Sequence, residues 1–167
     1  MRQLAVVLAF AGVTWWGVSP VAGSEDSALA QRIESASGVL LSGPHPSRTA
    51  TQEALADLLQ SASGISAAAG FPTPTQERLD SAAALYEGGG FLEPENVAAV
   101  HRAYESVTEG RTFVFPQSVS SIEEARDHGR LQIQKALGAL DAGRPKEAVH
   151  EVLGFVLMVT TPMKQER

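Results

Sequence analysis

The sequence predicts an all-α protein, a bundle of five to six helices with short loops, preceded by an N-terminal signal peptide. Three observations lead there. Apolar residues recur at steps of three and four in one segment after another. Ser, Thr and Pro at helix starts alternate with Gly at helix stops. Only one short stretch, Arg111 to Pro116, has the β-branched and aromatic character of extended chain.

The chain opens with Arg2, an apolar run from Leu4 to Val18, and the small residues Val21-Ala22-Gly23 ahead of Ser24-Glu25-Asp26. This is the three-part pattern of a secretory signal peptide. Leu4 to Ala22 approaches the roughly 20 residues that a membrane span needs, so an uncleaved N-terminal membrane anchor is the alternative, weakened by Gly12, Gly17 and Pro20. Cleavage after Gly23 separates a signal peptide, residues 1–23, from a single helical-bundle domain, residues 24–167. The expected location is exported, periplasmic or secreted, with no stable membrane insertion after cleavage.

Helix one follows from Leu29, Ile33, Ala36 and Leu40, and Ser42-Gly43-Pro44 ends it. Helix two starts near Thr49, where Thr49 and Gln52 have capping-box spacing, and Gly64 is a point where it kinks or ends. Thr73-Pro74-Thr75-Gln76 opens helix three, with Leu79, Ala82, Ala83 and Tyr86 inward, and the run Gly88 to Gly90 stops it and serves as a hinge. Glu93-Pro94 opens helix four, with Val97, Val100, Tyr104 and Val107 at helical spacing. Phe113 and Phe115 of the connector are expected to plug the bundle end.

Ser120 or Ser121, with Glu123 or Glu124, caps helix five, whose inward stripe is Ile122, Ala125, Gly129, Ile133, Ala136 and Leu140. Pro145 starts helix six, which runs to about Thr160. Its eight consecutive apolar residues, Val152 to Val159, have no single stripe, so the other helices must surround it. The junction Leu140-Asp-Ala-Gly143 followed by Pro145-Lys-Glu-Ala148 resembles the hairpin phrase of tetratricopeptide-type repeats. The likeness covers one hairpin of about 40 residues without a second copy, and one unit cannot stack on itself, so the chain is not read as a repeat protein.

Composition excludes several functions. With no cysteine there is no disulfide, thiolate metal site, attached c-type haem or thiol nucleophile, and a bacterial periplasm or exterior is favoured. A net charge of −6, more negative still once Arg2 is removed, argues against nucleic acid and anionic membranes as partners. Catalytic signatures such as a nucleophile elbow, a zinc-protease helix or a phosphate loop are missing.

Three histidines stand three or four residues from a carboxylate on a predicted helix: His101 with Glu105, His128 with Glu124, and His150 with Glu147. Such spacing places the two side chains next to one another, able to chelate a cation or to bond each other. On a helical wheel His101 falls near the core stripe, His128 on a flank, and His150 roughly opposite the apolar face, towards water. A di-metal bundle needs two ExxH motifs, and only Glu147/His150 has that spacing.

The leading expectation is therefore a non-enzymatic binding, accessory or sensor-type module without a cofactor, whose partner is an unknown protein or small ligand. The surface proposed for it combines Phe91 and Leu92 beside the triple glycine with Phe113 and Phe115 of the connector. The alternative is a site for Zn, Cu or Ni in which His101 and Glu105 meet Glu147 and His150 across helices four and six.

Overall fold

The computed structural model describes residues 21–162; the expected signal peptide lies outside them, except for the backbone of its last three residues. Six helices and no strand occur among the described residues: α1 (Val21–Leu41), α2 (Arg48–Ala68), α3 (Thr73–Glu87), α4 (Pro94–Val107), α5 (Ile122–Asp141) and α6 (Pro145–Thr160). None is long and apolar enough to cross a membrane.

Two helices occupy the centre. α2 packs on α1, α3 and α6; α6 packs on α2, α4 and α5; and α1 closes against α5. As its composition requires, α6 is buried on every side from Val152 to Met158. Close approach makes that possible at two glycines. Gly129 of α5 faces Phe155 and Met158 of α6 and Leu41 of α1, and Gly154 of α6 faces Gln132 of α5 and Tyr104 of α4.

The contacts fix the direction of each helix. Leu29 lies against Gly64, Leu41 against Gly129, Thr75 bonds Ser106, and Glu109 reaches Lys146. Every packed pair is thereby antiparallel. α4 and α5 run in the same direction, so residues 108–121 must carry the chain back along the bundle. One connection is therefore a long crossover, where short loops were expected throughout. Phe113 lies beside the rings of His101 and Tyr104 on the flank of α4 and does not plug the end of the bundle.

Local signals are mostly where the sequence puts them, with three shifts. The N-cap of α2 is Ser47, which accepts from the Ala50 N–H at 3.1 Å, and Gln52 is drawn instead to the end of α3. α2 also continues through Gly64, where Leu29 of α1 packs on the missing side chain. α3 begins one residue before Pro74 with no side-chain cap. Ile122, though in register with the buried stripe of α5, is 48% exposed, because the first turn of α5 extends past its neighbours.

The α5 cap is a full capping box. Ser121 Oγ accepts from the Glu124 N–H, and the Glu124 carboxylate accepts from the Ser120 hydroxyl and N–H at 2.7 Å each and from the Ser121 N–H. Glu124 thus serves the helix end and not His128. The Ser120 hydroxyl, followed by the Ser120 N–H, holds this carboxyl below its usual range.

Two predictions follow from this packing. A β-carbon on Gly129 would lie 2.8 Å from Phe155 Cε2 and 3.0 Å from Leu41 Cδ2, whereas one on Gly138 of the same helix meets nothing within 4 Å. Gly129→Ala should destabilise by about 1–3 kcal/mol through overpacking, and Gly138→Ala should stabilise by about 0.5–1 kcal/mol; urea unfolding midpoints of the two variants should move in opposite directions.

The second concerns pH. The folded pKa of Glu124 is lowered, so its contribution is complete above the unfolded value and disappears as pH falls through the folded one. Glu124→Gln should therefore cost stability at neutral pH, and its gap from the unaltered protein should close below about pH 4. Urea titrations across that range measure the gap; a constant gap would contradict the assignment.

Candidate functional site

The two chain reversals at one end of the bundle frame the site. α5 ends in a Schellman motif: the Arg144 N–H bonds Ala139 O at 2.8 Å, the Gly143 N–H bonds Leu140 O at 3.1 Å, and Gly143 takes the left-handed conformation at φ 68°. Pro145 then fixes the first position of α6. α4 ends with the equivalent bond, Gly110 N–H to Glu105 O at 2.7 Å, but the left-handed position is filled by Glu109 at φ 59°. A residue with a β-carbon is strained there by roughly 1–2 kcal/mol relative to glycine.

Between these reversals lies a cleft of about 540 Å³. The end of α4 and start of the crossover give one wall, including Val107, Thr108 and Arg111; Pro145, Lys146 and His150 of α6 belong to the other. The Thr108 hydroxyl lies 2.9 Å from both the Tyr104 and Arg111 carbonyls, which ties the crossover to the helix it leaves. Glu109 bonds Lys146 across the cleft, and Arg144 bonds Glu147 at 2.5 Å along its rim. The Lys146 ammonium holds the Glu109 carboxyl below its usual range.

His150 is turned only partly to water, where the wheel reading has it facing solvent: its side chain keeps 39% exposure. Its Nε2 is 2.9 Å from the Tyr104 hydroxyl, and its ring stands 5.2 Å from that of Tyr104. The wheel considered the apolar face of α6 alone, whereas α4 packs beside the first turns of α6 and half-covers His150. Burial, then the Glu151 charge, push the Tyr104 phenol up, with Arg111 acting against them. The hydroxyl and Nε2 share one hydrogen bond. Nδ1 lies 3.8 Å from Glu151 Oε1.

The four residues considered for a metal are only partly brought together. Glu147 and His150 border the cleft, and His101 stands in a row of rings that runs His101, Phe113, Tyr104, His150. Tyr104 occupies the nitrogen of His150 that points at α4. Glu105 contributes its carbonyl to the α4 terminus, and its carboxylate forms no bond with His101. Among the described residues no group of three or more His, Asp or Glu side chains is placed to hold a metal ion.

The surface considered for a partner divides as well. Phe91 and Leu92 lead into the start of α4, whereas Arg111 to Phe115 leave its end. Phe91, Phe113 and Phe115 are half-buried against the core, leaving Leu92 at 58% and Val114 at 73% exposure. The glycine run is pinned, not a free hinge. The buried Asn96 amide donates to Gly89 O at 2.9 Å and Gly90 O at 3.0 Å, and Gln52 bonds both Tyr86 O and the Phe91 N–H.

Sequence reasoning missed Gln52, Asn96, Tyr104 and Glu109 in these roles. Asn96 carried a signal, as an amide in the first turn after a glycine run. Glu109-Gly110 carried another, as a helix end followed by glycine. Nothing local announced the Tyr104–His150 bond, which joins residues from different helices.

No protein-family model matches the chain, and no curated protein or solved structure is significantly similar to it.

The strain at Glu109 is testable. Since an exposed ion pair generally stabilises less than left-handed backbone destabilises, Glu109→Gly should raise the melting temperature by about 2–6 °C. Scanning calorimetry checks this, and a fall would show that the bond to Lys146 outweighs the backbone.

Proposed function

We propose that this is an exported, non-enzymatic helical binding protein that takes a small ligand in the cleft between the end of α4 and the start of α6. The observation that carries the reading is the cleft itself. Its volume of about 540 Å³ falls within the range of small-molecule sites, and helix termini fixed by backbone hydrogen bonds form its walls, so it exists before any ligand arrives.

The direction of the Tyr104 shift opposes a nucleophilic role for this residue. Tyrosine, histidine and glutamate in sequence resemble the order of nucleophile, base and orienting acid, yet a phenol pushed up is harder to ionise, the reverse of an activated nucleophile. The 3.8 Å from His150 to Glu151 is also too long for the orienting hydrogen bond. Export is supported by Arg2, the apolar run to Val18 and the small residues Val21 to Gly23.

A fragment screen followed by amide chemical shifts tests the site. Binding compounds should perturb residues 107–111 and 144–150 together and saturably. Hits that cluster instead around Phe91 and Leu92 would refute the cleft and return the partner surface to the pinned glycine turn.

A further inference from the structure

We propose that the ligand of this cleft is an anion, a small molecule bearing a carboxylate or phosphate group on an apolar body; the inference rests on the cleft being a ligand site. In a chain with 19 acidic and 13 basic residues, three cations, Arg111, Arg144 and Lys146, converge on one cleft together with His150. This concentration runs against the charge of the molecule as a whole.

The two carboxylates present offset two of the three cations and leave one net positive charge. Glu109 is engaged by Lys146 and Glu147 by Arg144. Arg111 is the remaining cation, and it forms no hydrogen bond or ion pair through its guanidinium among the described residues. Arg111 lines the cleft as an exposed side chain, and its charge favours the anionic form of both Glu109 and the Tyr104 phenol.

A guanidinium offers paired N–H donors in the plane that a carboxylate or phosphate accepts. The first-turn N–H groups of α6, which have no side-chain cap, add a weaker field of the same sign. Pro145, with the edge of the buried Val107 behind it, supplies apolar surface for the rest of the ligand. A cationic ligand would have to approach three positive side chains whose only counter-charges are already bonded.

The two engaged carboxylates have a second consequence. They hold Lys146 and Arg144 at the mouth of the cleft, so the ligand meets cations already positioned. Because those ion pairs are exposed, an incoming anion can share or displace them at little cost.

The test uses four probes of one shape on the purified protein: benzoate, phenyl phosphate, benzamide and benzylammonium, titrated against amide shifts of residues 107–111 and 144–150. Benzoate or phenyl phosphate should bind at least about tenfold more tightly than benzamide, and benzylammonium should not bind. Whichever anion is tighter identifies the head group. Arg111→Gln, at an exposed position, should remove that margin while leaving the melting temperature unchanged.

If benzamide matches both anions, or Arg111→Gln leaves anion affinity intact, the charge inference is overturned and the cleft remains a ligand site. If none of the four perturbs the cleft amides, both readings fall.

Discussion

The structure depends on the all-round burial of α6. Its run from Val152 to Met158 offers no polar face to water, so it must be enclosed, and α2, α4 and α5 enclose it. Packing so many partners on one helix requires short distances, which Gly129 and Gly154 provide. Since α4 and α5 both pack antiparallel to α6, they are parallel to each other. A hairpin cannot join parallel helices, and the long crossover at residues 108–121 is the result.

The crossover in turn determines where a cleft forms. The chain leaves α4 sideways at Glu109-Gly110 instead of turning straight into another helix, and α6 begins nearby at Pro145. No hairpin loop fills the space between them. At the other end of α4 the situation is reversed. There α3 and α4 are joined by a tight glycine turn whose carbonyls are taken by Asn96 and Gln52. One end of α4 is thus closed by buried amide hydrogen bonds and the other stands open.

Much of this fold was legible because the local code is strong: proline starts, glycine stops and helical spacing gave six helices with boundaries close to those observed. The errors share a cause. Capping at Thr49 and the plugging role of Phe113 were inferred from neighbours in sequence, and both were overridden by partners in space: Gln52 by Tyr86 of α3 and Phe91 of the turn that follows, Phe113 by His101 and Tyr104. The candidate site was less legible still. Glu147 and His150 were singled out, but as half of a metal site, because the wheel shows which residues share a face and not what packs against it. In the sequence Arg111 is only the first residue of a connector, and its charge gains meaning from the fold, which sets Lys146 and Arg144 opposite it.

Glu109 shows how the fold and the cleft compete. At the end of α5 the left-handed position is given to Gly143, the residue with least strain there; at the end of α4 the corresponding position holds a glutamate. Nothing in the packing of the bundle requires a side chain at that point, since a glycine would make the same turn and the same hydrogen bond from Gly110. What the carboxylate adds is its bond to Lys146 across the cleft. Backbone strain at this place is therefore accompanied by control over a cation in the cleft proposed for the ligand, the pattern expected where local stability gives way to function. Arg144 and Glu147 repeat the arrangement at the rim without the strain, and Arg111, without a carboxylate partner among the described residues, is the cation on which the proposed anion site turns.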